Sequence, residues 1–92
     1  MSMKQIIDVD HDVVGYINNS WLFNFFIEVA EKEKLQFLKS FLDNGFSIDI
    51  PDIVEEINTI DWPMANGVNE AASHLLKALL LAKGGIVFIT QE

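Results

Sequence analysis

The sequence predicts an α/β fold: a small three-stranded parallel sheet with helices packed on it, in the order β-α(α)-β-α-α-β. Three short segments carry strand patterns, and segments with the helical spacing of apolar residues separate them. Connections long enough to contain a helix favour parallel pairing with right-handed crossovers. Half of the 92 residues are apolar and no Pro, Gly or Ser-rich linker divides them, so residues 1–92 are expected to form a single small acidic domain.

The first half of the chain predicts one strand followed by one or two helices. Residues 5–9 are rich in β-branched side chains and end at a polar cluster, which favours a short strand. Asn19 or Ser20 is a suitable N-cap, and apolar residues recur at helical spacing over residues 21–43. The charged run at residues 31–34 is either an exposed turn of one long helix or a joint between two shorter helices.

A second strand and a short helix are expected in the middle of the chain. Apolar and polar residues alternate over residues 46–50, and Pro51 prevents the strand from continuing. Asp52 followed by Glu55 resembles a capping box, with Asp in place of the usual Ser or Thr. This pair therefore predicts the start of the helix.

The last third of the chain predicts a longer helix and a final strand. Apolar residues recur at helical spacing over residues 68–80, and the helix is expected to end at Gly84 and Gly85. The continuous apolar run at residues 86–90 is typical of a strand that is covered on both faces. A chain of this length barely supplies that cover, so we expect some exposed apolar surface.

Composition excludes several classes of protein. The chain has no cysteine, which rules out disulfides, a thiolate nucleophile and Cys-ligated metal centres. Fourteen carboxylates stand against six lysines and no arginine, giving a net charge of −8, which disfavours direct binding of nucleic acid. The apolar stretches are too short to span a membrane and no export signal is recognisable, so the protein is expected to be cytoplasmic.

No pattern of catalytic residues is recognisable, and we expect a protein that is not an enzyme and needs no cofactor or metal. Asp8, Asp10 and Asp12 resemble the start of a calcium loop of the EF-hand kind. Two valines separate the third of these carboxylates from Gly15, and no glutamate closes the loop. A solvated strand end is therefore the favoured interpretation, with a weak metal site as the alternative.

The middle of the chain is strongly acidic. Residues 40–76 contain seven carboxylates and no lysine or arginine. An acidic surface favours a basic partner, and a tryptophan among carboxylates is typical of interface hot spots. The candidate partner-binding residues are Asp49, Asp52, Glu55, Glu56, Asp61 and Trp62.

The aromatic segment at residues 21–27 gives a competing hypothesis. Its apolar side chains surround almost the whole helix, so one face cannot bury them all. The helix either lies between the sheet and other helices or contacts another chain. In the second case the protein is a non-catalytic structural or adaptor subunit that forms a homodimer through this helix.

The order of elements, the acidic balance and the segment Ala-Lys-Gly-Gly-Ile-Val-Phe-Ile at residues 82–89 resemble the barstar family of small intracellular ribonuclease inhibitors. This resemblance implies an inhibitory function. The composition also favours this function, because the carboxylates of a compact acidic module can take the place of phosphates in a basic active site and speed association. The leading hypothesis is an inhibitor of a basic, nuclease-like partner, either an immunity protein or an antitoxin.

Overall fold

A computed structural model describes residues 3–91, in which a sheet carries a layer of helices. The strands and helices follow one another along the chain with a short 3-10 helix (Ala65–Gly67) before the last helix. In chain order they are β1 (Lys4–Asp8), β2 (Val13–Ile17), α1 (Ser20–Lys32), α2 (Gln36–Asn44), β3 (Phe46–Ser47), α3 (Ile50–Asn58), α4 (Val68–Leu81) and β4 (Val87–Gln91).

The sheet corrects the predicted topology. It has four strands in the order β2-β1-β4-β3, and every neighbouring pair is antiparallel, so the prediction of a three-stranded parallel sheet is wrong. Two helices, α1 and α2, connect β2 to β3, and another two, α3 and α4, connect β3 to β4. One helix returns the chain to the opposite end of a sheet, whereas two helices lead away and back, so the next strand runs in the reverse direction.

The missed strand is β2, which forms a hairpin with β1. The register pairs Gln5 with Tyr16 and Ile6 with Gly15, and it shifts between Ile6 and Ile7. The polar cluster that was expected to end β1 is the hairpin loop. His11 occupies the left-handed region there, with a φ of 67°, and its N–H donates to the carbonyl of Asp8 at 3.0 Å.

The joint between α1 and α2 settles the alternative that the sequence left open. Lys34 adopts a φ of 58°, which a continuous right-handed helix does not allow, so residues 21–43 form two helices. The predicted N-cap is confirmed at Asn19, whose Oδ1 accepts the N–H of Leu22 at 2.9 Å. The N-cap residue of α2 is Leu35, which offers no side-chain acceptor.

The segment around Pro51 is helical earlier than predicted. Only Phe46 and Ser47 belong to β3, and α3 begins at Ile50 with the proline in its first turn. Proline suits this position because the first turn of a helix needs no N–H donor and its φ is already helical. The capping-box prediction is wrong, since Asp49 is the N-cap residue and its side chain makes no capping hydrogen bond.

The helices cover one face of the sheet. Ile6 and Val87 are fully buried on that face, and an ideal Cβ built on Gly15 would lie 2.6 Å from Cβ of Ala78 on α4. The glycine therefore permits the close approach of α4 to β2. On the opposite face the register brings Ile7 beside Phe88, and both side chains are only half-buried. The expectation that the last strand is covered on both faces is therefore wrong.

Within residues 3–91, no helix combines the length and the apolar character that crossing a bilayer requires. The longest, α4, has 14 residues, and a membrane-spanning helix needs about 20.

Candidate functional site

The predicted acidic site centres on α3. Asp49 precedes the helix, Asp52 lies in its first turn, and Glu55 follows one turn later. Residues spaced by three are neighbours on a helix surface, so these carboxylates form an acidic stripe that begins at the half-buried Asp49 and continues through Asp52 and Glu55 on the outer side of α3. A carboxylate in the first turn also interacts favourably with the positive end of the helix dipole, which stabilises Asp52 in this place.

The carboxylates of this stripe are available to a partner. Asp52 and Glu55 are exposed, as is Asp61 beyond the end of the helix. Lys39 forms ion pairs with Glu31 and Asp43, and no ion pair within residues 3–91 involves the three exposed carboxylates. They are therefore free to pair with lysine or arginine side chains of another molecule.

Glu56 has a structural role. Its side chain points towards α2, where Oε1 accepts the N–H of Leu38 at 2.8 Å and Oε2 accepts the N–H of Phe37 at 3.1 Å. These two N–H groups have no acceptor within their own helix, and Leu35 cannot supply one. Glu56 thus caps α2 from α3 and joins the two helices. The side chain of Leu35, before α2, cannot cap the helix, and this was the signal in the sequence that another element caps α2.

Trp62 is part of the core. The residue is only 7% exposed, its Nε1 donates to the carbonyl of Ile57 at 3.0 Å, and its ring packs edge-on against Phe26 at a centroid distance of 5.5 Å. A partner would meet little of this indole. Of the six predicted contact residues, the structure brings Asp49, Asp52 and Glu55 together on one surface, places Asp61 at the other end of α3, and engages Glu56 and Trp62 within the fold.

An apolar groove lies beside the acidic stripe, between α3 and α4. Its cavity of about 440 Å³ is lined by Pro51 and Val54 from α3 and by Leu79 and Leu80 from α4. Leu80 is 67% exposed at its rim. The groove was not predicted from the sequence, because it forms only where α3 and α4 face each other. The periodicity of one helix does not show which part of its surface the other helix leaves uncovered.

The three aspartates near the start of the chain form a compact group. One carboxylate oxygen from each of Asp8, Asp10 and Asp12 lies within 4.8 Å of the others. Asp8 is buried, and its Oδ1 accepts the N–H groups of Asp10 at 2.9 Å and Asp12 at 3.1 Å. Its Oδ2 accepts the N–H of Lys83 at 3.3 Å. The carboxylate therefore already holds the hairpin loop to the segment between α4 and β4.

The hydrogen bonds of Asp8 also control its ionisation. Burial alone disfavours the charged carboxylate, but the backbone N–H groups of Asp12, Lys83 and Asp10, together with the charge of Lys83, outweigh burial and lower the pKa of Asp8. The ionised side chain of Asp8 is thus a hydrogen-bond acceptor within the fold.

The aromatic segment is partly buried and partly exposed. Leu22 and Phe26 belong to the core, whereas Trp21 is 51% exposed and stacks on Phe25 at a centroid distance of 5.4 Å. A cavity of about 570 Å³ lies at the start of α1 and is lined by Trp21 together with the polar residues Asn19, Ser20 and Asn66. This part of α1 is a second exposed apolar surface, on an element other than α3 and α4.

Comparison with protein-family models, with curated proteins and with solved structures found no match to the chain.

Proposed function

We propose that this chain is a small acidic protein-binding inhibitor that covers the positively charged site of a basic partner, such as a nuclease countered by an immunity protein or antitoxin. The observation that carries the proposal is the exposed stripe of α3, whose carboxylates have no cationic partner within residues 3–91. The proposed action requires no catalytic residue and no cofactor, and the cytoplasmic location stays a prediction.

The mechanism is electrostatic replacement of a phosphate-bearing substrate. A site that binds phosphates is lined by lysine and arginine, and these side chains also pair with carboxylates. The net charge of −8 attracts such a site over a distance of about 8–10 Å at physiological salt. The stripe of Asp52 and Glu55 then supplies the close contacts, and the bulk of the domain excludes the substrate.

The test begins with affinity capture from a lysate of the native host at low and high salt, followed by nuclease assays of the captured proteins. The isolated partner is then bound to wild type, to Asp52→Asn/Glu55→Gln and to the matched control Glu33→Gln/Glu70→Gln. We expect the α3 variant to associate about tenfold more slowly at low salt, with a smaller change in the control. Equal rates for all three proteins, or a captured partner without nuclease activity, would contradict the proposal.

A second candidate function is a structural or adaptor subunit that forms a homodimer through α1. The exposed Trp21, stacked on Phe25, favours it, because a large aromatic surface on a helix is typical of interfaces. Light scattering at micromolar concentration tests this candidate. We expect a dimer that Trp21→Ser converts to a monomer, and a monomeric wild-type protein would exclude it.

A further inference from the structure

The groove between α3 and α4 is long enough to receive another helix. Beside the cavity at Pro51 and Leu80, a second cavity of about 110 Å³ lies between the same two helices and has a mixed lining, with Ile57 and Leu76 beside the polar residues Asn58, Asn69 and Ser73. Residues of α3 that line the two cavities therefore occur along the whole helix. The helix has nine residues, so it is about 13 Å long at 1.5 Å per residue. An amphipathic helix presents apolar side chains at a matching interval.

The two walls of the groove carry opposite charge. Glu55 lies next to Pro51 on the surface of α3, and Asp52 follows on the outer side of the helix, whereas Asp49 lies on the side of Glu56 that faces α2. The exposed cations Lys77 and Lys83 belong to α4 and to the segment that follows it. The carboxylates of the α3 wall have no ion pair among the described residues. A helix in the groove would therefore be oriented by charge, with its basic edge against α3.

We infer that the α3–α4 groove binds an amphipathic helix of the partner, with its apolar side in the groove and lysine or arginine residues along the edge that faces α3. This inference rests on the proposed function, because it specifies which element of the basic partner is recognised. The groove supplies apolar contact through Pro51, Val54 and Leu80, and the acidic stripe supplies specificity.

A second copy of this chain fits the groove less well. The exposed apolar strip of α1 contains Trp21, and two carboxylates, Glu28 and Glu31, lie along the same helix against one cation, Lys32. Docking of that strip would place carboxylates against the carboxylates of α3, and like charges at an interface cost free energy. A basic amphipathic helix avoids this repulsion.

The experiment uses synthetic helical peptides of roughly 14 residues, or four turns. One peptide has a leucine stripe with lysine at the polar positions, a second has the same stripe with glutamate, and a third contains the residues of the lysine peptide in scrambled order. Each is titrated into the ¹⁵N-labelled protein, and amide shifts and affinity are measured. The protein variants are Leu80→Gln and Leu81→Gln; both leucines are exposed, but only Leu80 lines the groove.

We expect the lysine peptide to bind with saturation and to shift the amides of α3 and α4. Leu80→Gln should weaken this binding about tenfold, which corresponds to the loss of one buried leucine contact, while Leu81→Gln should bind like wild type. The inference is overturned if the scrambled peptide binds as tightly as the lysine peptide, or if both variants lose the same affinity for the lysine peptide. It is also overturned if Leu80→Gln changes only the self-association of the protein.

The two proposals fail in different ways. If a basic partner binds the acidic stripe and Leu80→Gln leaves its affinity unchanged, the groove inference is wrong and the inhibitor proposal stands. If the lysine peptide occupies the groove and no basic nuclease is inhibited, the inhibitor proposal is wrong and the groove remains a binding site for basic amphipathic helices.

Discussion

Replacement of Glu56 by alanine should reveal whether this residue stabilises the fold or binds a partner. The change removes two charge-assisted hydrogen bonds, at 2.8 Å to Leu38 N and at 3.1 Å to Phe37 N. Hydrogen bonds to charged groups contribute about 1.5–3 kcal/mol each, but Glu56 is only half-buried, so water compensates the freed N–H groups in part. Loss of an N-cap costs about 0.5–2 kcal/mol, and we expect a value of about 2 kcal/mol, at the upper end.

The assay is thermal and urea unfolding followed by circular dichroism. A loss of about 2 kcal/mol lowers the melting temperature of a domain of this size by roughly 8–16 °C. Glu56→Gln should lose about half as much, because one amide oxygen remains an acceptor while the amide N–H₂ faces the other donor. The matched control is Glu55→Ala on the same helix, which should change stability by less than about 0.5 kcal/mol. Equal effects at the two positions would refute the capping role.

Three further predictions concern the core and the hairpin. Trp62→Ala should lower the free energy of unfolding by about 3–5 kcal/mol because it leaves a cavity; wild-type thermal stability would show that the indole is peripheral. Gly15→Ala places a methyl group 2.6 Å from Cβ of Ala78 and should lower the free energy of unfolding by about 1–3 kcal/mol. In a double-variant cycle Ala78→Gly should restore part of this loss, and strictly additive losses of the two variants would contradict the contact. The stabilisation from ionised Asp8 is present above its ordinary pKa of 3.8 and is lost as pH falls through its lowered folded pKa. The melting temperature, measured as the pH is lowered through 3.8 and below, should therefore change less for Asp8→Asn than for wild type or Asp10→Asn. Parallel curves for the three proteins would contradict a stabilising role of ionised Asp8.

Elements with local signals were predictable from the sequence. The cap at Asn19, the periodicity that places α4 at Val68–Leu81 and the apolar run of β4 each depend on residues close together in the chain. The direction of the strands depends on whether one or two helices return the chain. The charged run at residues 31–34 left that number open before β3, whereas the two helices predicted between β3 and β4 already imply a reversed last strand, which the parallel prediction overlooked.

The candidate site was predictable only in part. Asp52 and Glu55 are exposed, as expected for carboxylates on an amphipathic helix, and their surface position follows from the periodicity of α3. The hydrogen bonds of Glu56 cross from α3 to α2, and Trp62 folds back onto Phe26 from a segment without regular structure. Both depend on tertiary contacts, for which the local sequence carries no periodic signal.

The pairing of β1 with β4 has a consequence for folding kinetics. The register joins Lys4 to Gln91, so the two central strands of the sheet come from opposite ends of the described chain. The hairpin of β1 and β2 and the successive helix pairs require only short loops, whereas the central pairing must close a loop of almost the whole chain. We expect this closure to be the slow step. During synthesis on a ribosome, one edge of β1 stays unpaired until β4 has emerged, and an unpaired edge is where strands of other chains can add.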